Sequence, residues 1–243
     1  MPTAPAADQR RLLRVQELDT RADQLRHQRD NLPAQQRADE RERQIAELDG
    51  RVVTAATEVS DIRRDVTKAE DDVQSVRSRQ ERDLKRLNDG AGSAKDLQAI
   101  QSELDLLSKR IGALEDIELE AMERLEAAES AHAAVSEARA QATDELAAAI
   151  EERDAESARI GGELDVVEAE RAEAAEGLDA GLLAMYEKQR ANHGGVGAAE
   201  LAQGACQGCH MKLNAGDLGA IDKADPDDVL RCEECGRILV RSS

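Results

Sequence analysis

Apolar residues recur at alternating spacings of three and four through the first third of the chain. Between residues 45 and 76, ten consecutive positions of this rhythm are uncharged, whereas Asp, Glu, Arg and Lys occupy the other faces: Ile45, Leu48, Val52, Ala55, Val59, Ile62, Val66, Ala69, Val73 and Val76. A strand would need a spacing of two, so the pattern predicts a heptad helix that buries a narrow seam. Upstream, Pro33 predicts a kink near residues 31–33 because proline lacks an N–H.

A second helix follows a cluster of breaker residues. Gly90 and Gly92 predict a turn near residues 88–94, and Ser93 with Asp96 resembles a capping box. The heptad then resumes at Leu97, Ile100, Leu104, Leu107, Ile111 and Leu114. A further kink is expected near residues 161–162, where two glycines adjoin. Residues 1–190 are therefore predicted to form a long antiparallel coiled-coil hairpin, although an intermolecular coiled coil fits the same periodicity.

Composition and charge agree with a helical rod. The 243 residues include no Phe, no Trp and one aromatic residue, Tyr186, whereas 35% are charged. Residues 1–90 carry 18 basic and 19 acidic side chains, and residues 91–190 carry 10 and 25. Pairing an arginine-rich helix with an acidic one relieves repulsion along the seam. The net charge of −19 and the absence of aromatic platforms argue against general nucleic-acid binding.

The four cysteines form two CxxC pairs, in "CQGCH" and "CEECGR". Four thiolates in this arrangement suit tetrahedral coordination of one Zn²⁺, so we predict a structural zinc site formed by Cys206, Cys209, Cys232 and Cys235. Gly208 and Gly236 supply the small residues that tight knuckle turns need. His193 and His210 are expected to lie outside the ligand set. Residues 191–243 are thus predicted to form a small β zinc ribbon after the mainly α hairpin.

Other uses of the cysteines are disulfides, a redox dithiol, or iron in the same four-sulfur cage. The N-terminal residues show no apolar signal region, and no stretch approaches a transmembrane span. We therefore expect a cytoplasmic protein without a membrane association, where cysteines bind metal more often than they form disulfides. A redox dithiol would need a βαβ context, which is missing here. The pattern does not distinguish zinc from iron.

A family resemblance rests on the order of these features. The coiled-coil hairpin, "MYEKQR", "CQGCHMKL" and the terminal "CEECGRILV" together resemble the bacterial C4-type zinc-ribbon family, long catalogued as a domain of unknown function. The resemblance implies zinc on the four cysteines and no established enzymatic activity. Members of that family are linked to RNA-polymerase sigma factors, to RNA and to flagellar or secretion systems. A protein partner, with the transcription machinery as one candidate, is the corresponding expectation for this chain.

The functional prediction is a non-enzymatic zinc-binding adaptor or scaffold that docks protein partners through its coiled coil and its ribbon. Four thiolates close a zinc site to substrate, and no phosphate loop or catalytic triad is present in the sequence. The alternative is a regulator that binds RNA or DNA through the ribbon or through a basic cluster at the hairpin tip: Arg77, Arg79, Arg82, Lys85, Arg86 and Lys95. A third hypothesis is a purely structural rod that self-assembles. The sequence does not determine the oligomeric state.

Overall fold

The chain is mainly helical, with a small β region near its C-terminus. The computed structural model describes residues 2–90 and 92–241; Met1, Ala91, Ser242 and Ser243 lie outside the described residues. The helices are α1 (Ala6–Asp30), α2 (Pro33–Asn88), α3 (Ala94–Ala175), α4 (Ala180–Asn192) and α5 (Ala215–Lys223), and the strands are β1 (Ala198–Ala202), β2 (Ala205–Cys206), β3 (Leu230–Arg231) and β4 (Ile238–Arg241). This order confirms the predicted fold class. None of the described helices has an apolar run long enough to cross a membrane.

Local sequence sets the helix ends. At the end of α1, Asn31 Nδ2 donates to the carbonyl of His27 at 2.8 Å, and Pro33 begins α2, where a missing N–H costs nothing. At the start of α3, Asp96 accepts a hydrogen bond from the Ser93 backbone N–H at 2.9 Å, as in a capping box. Ala91, within the predicted turn at 88–94, lies outside the described residues.

The third helix does not end at the glycine pair near its C-terminal end. It continues as helix through Gly161 and Gly162, and the kink expected there stays a prediction. It ends at Ala175, and the chain turns through Gly177, whose φ of 71° suits glycine. Asp179 then caps α4 by accepting from the Leu182 N–H at 2.8 Å. This break before Tyr186 was not predicted from the sequence.

Contacts divide the chain into two compact units. The ribbon unit combines Met1–Gln35 with Ile150–Ser243, and the hairpin unit is Gln36–Ala149. The N-terminal helix therefore groups with the C-terminal strands, although they are far apart in sequence. The domain boundary that the sequence predicts, between residues 190 and 191, separates the hairpin from the zinc ribbon along the chain. It stays a prediction.

In the hairpin unit, α2 and α3 run antiparallel within one chain. Salt bridges join Arg41 to Glu145 at 2.8 Å and Arg63 to Glu129 at 2.6 Å, so one residue number rises as the other falls. The buried seam between the helices follows the predicted heptads: Leu48, Ile62, Val66, Ala69, Val73, Ile100, Leu104, Ile111 and Leu114. The ion pairs lie beside this seam and are exposed, so each contributes little to stability. Burial of the seam is what holds the two helices together.

In the ribbon unit, a four-stranded sheet has the order β2-β1-β4-β3. The central strands β1 and β4 are parallel, with Ala198 opposite Ile238, and both outer pairs are antiparallel. Alternate residues point to opposite faces of the sheet. One face packs on α1 and α4 in a cluster that includes Leu12, Val15, Leu182, Tyr186, Ala198, Ile238 and Val240. The other face carries the cysteines.

The sheet is also hydrogen-bonded to the N-terminal part of the chain. The buried side chain of Gln16 on α1 accepts from the backbone N–H groups of Gly197 at 2.7 Å and Ala198 at 3.2 Å. Ahead of α1, the carbonyl of Pro2 accepts from the Val229 N–H at 3.0 Å. The sheet therefore packs against α1 as well as against α4, the helix that precedes β1 in the sequence.

Candidate metal centre

The four cysteine sulfurs converge on one point. All four Sγ atoms lie within 4.8 Å of one another, with Cys206 Sγ to Cys235 Sγ at 4.0 Å and Cys209 Sγ to Cys232 Sγ at 3.9 Å. In a tetrahedral site with zinc–sulfur bonds of about 2.3 Å, neighbouring sulfurs are roughly 3.8 Å apart. The observed separations therefore fit one tetrahedral Zn²⁺ bound by four thiolates.

The first pair of ligands lies on a knuckle that begins at the last residue of β2. A tight turn through Gln203 and Gly204, with φ of 53° and 70°, connects β1 to β2. Beyond it, the Cys206 N–H donates to the Met211 carbonyl at 3.0 Å, and the His210 N–H donates to the Cys206 carbonyl at 2.7 Å. These bonds curl residues 206–211 so that both sulfurs face the metal.

The second knuckle repeats this pattern between β3 and β4. The Cys232 N–H donates to the Arg237 carbonyl at 2.9 Å, and the Gly236 N–H donates to the Cys232 carbonyl at 2.7 Å. In each knuckle the residue four after the first cysteine is left-handed, with φ of 60° at His210 and 72° at Gly236. Glycine takes that conformation without strain and histidine does not, so the two equivalent positions differ in cost.

Gly208 and Gly236 serve the knuckles for different reasons. Gly236 provides the positive φ, whereas Gly208 is not among the residues with positive φ. A Cβ on Gly208 would lie 2.8 Å from Arg237 Cδ and 2.9 Å from Ala199 Cβ. The first knuckle needs glycine because the second knuckle and β1 approach it closely.

The two histidines lie outside the metal ligand set. In the part of the chain that the structure describes, the four cysteines are the one group of Cys, His, Asp or Glu side chains close enough to share an ion. The His210 side chain is exposed, and His193 Nε2 lies 3.0 Å from Gln189 Oε1. The site is thus a four-sulfur centre.

Burial and local hydrogen bonds act differently on the thiols of the metal-free protein. Burial raises the pKa of Cys206 and raises the pKa of Cys232 to about 12. Burial opposes ionisation of Cys235 too, but hydrogen bonds from the Arg237 backbone and side chain outweigh it and lower the pKa of Cys235 to about 7. Zinc must therefore displace protons from Cys206 and Cys232 when it binds at neutral pH.

Arg237 is a positioning residue that sequence reasoning missed. Its Nε donates to the Val196 carbonyl at 2.9 Å and its Nη2 to the His193 carbonyl at 3.1 Å. The guanidinium therefore ties the second knuckle to the segment that follows α4. A basic residue directly after the CxxCG motif is the available sequence signal, but its carbonyl partners are about 40 residues away and have no side-chain signature.

A second unpredicted feature is the polar network around Tyr186. The buried Tyr186 hydroxyl donates to Asp19 Oδ2 at 2.7 Å, and Arg171 Nε donates to Asp19 Oδ1 at 3.2 Å. Burial, followed by the adjacent Asp19 carboxylate, raises the pKa of Tyr186. Arg190 Nη2 extends the network to Asp23 Oδ2 at 2.7 Å. The network joins α1, α3 and α4 beneath the sheet.

The predicted basic patch on the hairpin unit comprises Arg77, Arg79, Arg82, Lys85, Arg86 and Lys95. Three of its arginines pair with acidic side chains: Arg77 with Glu115, Arg79 with Glu103, and Arg86 with Asp83. The other three residues make no ion pair among the described residues. These ion pairs indicate that part of the basic patch neutralises acidic side chains of the same chain. Binding of a partner or of nucleic acid by the patch stays a prediction.

The sequence matches two family descriptions that together span most of the chain. Residues 15–194 match the CT398-like coiled coil hairpin domain, and residues 205–239 match the C4-type zinc ribbon domain. An uncharacterized protein of Mycobacterium tuberculosis is 34% identical over 238 residues, which are 98% of this chain and 97% of that protein. One from Mycobacterium leprae is 27% identical over 231 residues, 92% and 96% of the two chains.

Solved structures give the same result. A Mycobacterium smegmatis protein is 33% identical and superimposes with a TM-score of 0.83. The match covers 99% of this chain and 100% of that protein. CT398 from Chlamydia trachomatis shares the fold, with 19% identity, a TM-score of 0.67, and coverage of 97% and 98%. The zinc-ribbon match and the converging sulfurs confirm the predicted zinc cofactor.

Proposed function

The chain belongs to the family of the CT398-like coiled coil hairpin domain with a C4-type zinc ribbon, and from this premise we propose that it is a non-enzymatic adaptor that docks protein partners on its helical surface. The ribbon binds one structural zinc. Zinc stabilises the ribbon unit, and the hairpin unit supplies the docking surface.

The observation that carries this proposal is the distribution of exposed apolar side chains. Eight large apolar side chains are exposed among the described residues, and six of them lie in the hairpin unit: Val53, Leu84, Leu106, Ile117, Leu119 and Met122. Ile117, Leu119 and Met122 are 53%, 57% and 49% exposed within two turns of α3. Exposed apolar side chains that are concentrated in one unit of a protein are characteristic of an interaction surface.

The zinc geometry supports the non-enzymatic part of the proposal. Catalytic zinc keeps a coordination position for water or substrate, whereas four converging thiolates fill a tetrahedron. Cys206 and Cys232 are moreover buried in a cluster with Leu213, Ile221, Leu230 and Leu239. The metal is therefore enclosed by its own ligands and by apolar side chains.

The test is quantitative affinity purification of tagged protein from the native cell. The informative variant replaces Ile117, Leu119 and Met122 by serine, and its matched control replaces Val166 and Met211, the two exposed apolar residues of the ribbon unit. The proposal expects a protein that co-purifies with wild type and with the control, and that is lost from the triple variant. Helicity and zinc content must be equal in all three. Equal recovery from both variants would contradict docking on the hairpin unit.

Nucleic-acid binding is the second candidate. Arg82, Lys85 and Lys95, which lack ion-pair partners among the described residues, favour it locally. Retention on single-stranded RNA at low salt, lost when Arg82, Lys85 and Lys95 are replaced by Glu, would support it. The transcription machinery as a partner, implied by the family resemblance, is tested by whether RNA polymerase subunits or sigma factors are the proteins recovered above.

A further inference from the structure

A groove runs along one side of the hairpin unit. A cavity of about 890 Å³ lies between residues 53–65 of α2 and residues 124–131 of α3. A second, of about 370 Å³, lies between residues 65–72 and 110–124. Asp65 and Arg124 line both, so the two are continuous. We call this surface, between residues 53–72 and 110–131, the hairpin groove.

Apolar side chains form the floor and both ends of the hairpin groove. Ile62 and Leu114 of the buried seam form part of the floor, Val53 lies at one end with 66% of its surface exposed, and Ile117 lies near the other with 53% exposed. Leu106, also 66% exposed, precedes Ile117 by eleven residues, which is close to three helical turns, and so lies on the same face of α3. Three large apolar side chains along this side of the hairpin unit, Val53, Leu106 and Ile117, are therefore exposed to solvent.

The rims of the hairpin groove are more acidic than basic. Glu58, Asp61, Asp65, Asp72 and Glu120 face three cations, Lys68, Arg110 and Arg124. The hairpin unit as a whole has 27 acidic and 17 basic side chains. An occupant that is basic beside its apolar stripe matches this surface in both charge and hydrophobicity.

We propose that the hairpin groove docks a basic amphipathic helix of a partner protein, which would pack on α2 and α3 as a third helix. This inference rests on the proposed adaptor function and specifies the chemistry of the partner. The α2 rim spans twenty residues, about 30 Å of helix at 1.5 Å per residue, so it accommodates a partner helix of about 20 residues. Exposed Ala127 and Ala131 on the α3 rim allow that helix to approach closely.

Charge argues against two other occupants. A second copy of the chain would bring another net charge of −19 to an acidic surface. Nucleic acid would bring phosphates to the same rim carboxylates. A helix with Lys or Arg beside its apolar residues avoids both penalties.

The probe is a labelled synthetic peptide of about 20 residues with leucines at heptad a and d positions and lysines at the flanking positions. One control peptide has glutamates in place of the lysines, and another has the lysine composition in scrambled order. Binding to the full-length zinc-loaded protein is measured by fluorescence anisotropy. Ile117→Arg and Ala131→Arg place a cation in the hairpin groove. Val166→Arg is the matched control, because it is similarly exposed on the same helix but lies in the ribbon unit, outside the hairpin groove.

The expected result is one lysine peptide bound per chain, with affinity at least about tenfold weaker in Ile117→Arg and Ala131→Arg and unchanged in Val166→Arg. Equal affinity for the three variants, or for the ordered and scrambled peptides, would overturn the proposal. So would equal binding of the glutamate peptide, or light scattering that shows a dimer dispersed by Ile117→Arg. If these tests fail while the triple serine variant still loses its cellular partner, the adaptor function stands and the hairpin groove is not its site.

Discussion

Replacing Gln16 by alanine tests whether the zinc-ribbon sheet depends on α1. Gln16 is 7% exposed, and its Oε1 accepts from the Gly197 and Ala198 N–H groups at 2.7 and 3.2 Å. Its Nε2 also donates to the Gly195 carbonyl at 2.9 Å. One side chain therefore satisfies three backbone groups at the start of β1.

The cost follows from the groups left without partners. A buried donor that loses its acceptor costs about 1–3 kcal/mol, and alanine removes the acceptor of two donors. Water that enters the vacated space recovers part of this, so we expect Gln16→Ala to lower the free energy of unfolding of the ribbon unit by about 2–4 kcal/mol. The higher helix propensity of alanine offsets only a few tenths of a kcal/mol.

The assay uses the single aromatic residue of the chain. Tyr186 is fully buried in the cluster between α1, α4 and the sheet, so tyrosine fluorescence during urea denaturation reports on the ribbon unit alone. Gln24→Ala is the matched control, because it makes the same change at an exposed position of the same helix. A midpoint that falls no further in Gln16→Ala than in Gln24→Ala would refute the claim that α1 supports the strand.

Three further predictions concern the network and the metal centre. Tyr186→Phe leaves the buried Asp19 carboxylate without one donor and should destabilise the ribbon unit by about 1–3 kcal/mol, measured by thermal unfolding followed by circular dichroism. His210→Gly should stabilise the protein by about 1 kcal/mol, since glycine adopts the positive φ of this position without strain. The variant should also retain zinc in competition with a chelator, whereas loss of zinc would indicate that His210 is a metal ligand. Zinc binding at pH 7 should release at least the protons of Cys206 and Cys232, detected by calorimetry in buffers of different ionisation enthalpy, and no buffer dependence would contradict the raised pKa values.

Features encoded by local patterns were predictable from the sequence. The heptad positions from Ile45 to Val76 define the seam of α2, and the spacing of the two CxxC pairs identifies the zinc ligands. Each signal arises from residues within a few turns of one another, where helix periodicity or knuckle geometry restricts the structure strongly.

Features that depend on distant residues were not predictable. A glutamine on a helix, such as Gln16, is normally expected at the surface. Gln16 is nevertheless buried, because it accepts from the N–H groups of Gly197 and Ala198 at the start of the sheet, more than 170 residues away. Asp19 likewise reads as solvated, whereas it accepts from Tyr186 and Arg171. The buried residues of α1 do not follow a strict heptad, since this helix packs against a sheet as well as against helices.

The same packing changes what zinc is expected to stabilise. If residues 191–243 folded independently, metal removal would unfold them and leave most of the helical signal intact. Because the sheet shares a core with α1 and α4, loss of zinc should also loosen these helices of 25 and 13 residues. The 56 and 82 residues of α2 and α3 should keep most of the helical signal.

The most direct test is a zinc titration of the metal-free protein followed by the near-ultraviolet circular dichroism of Tyr186. This residue lies on the face of the sheet opposite the cysteines, so its signal responds to zinc only if metal binding orders the whole ribbon unit. We predict a signal that rises to an endpoint at one zinc per chain and that is absent in Cys232→Ser. A tyrosine signal that is already complete without zinc, or that does not change as zinc binds, would contradict the account.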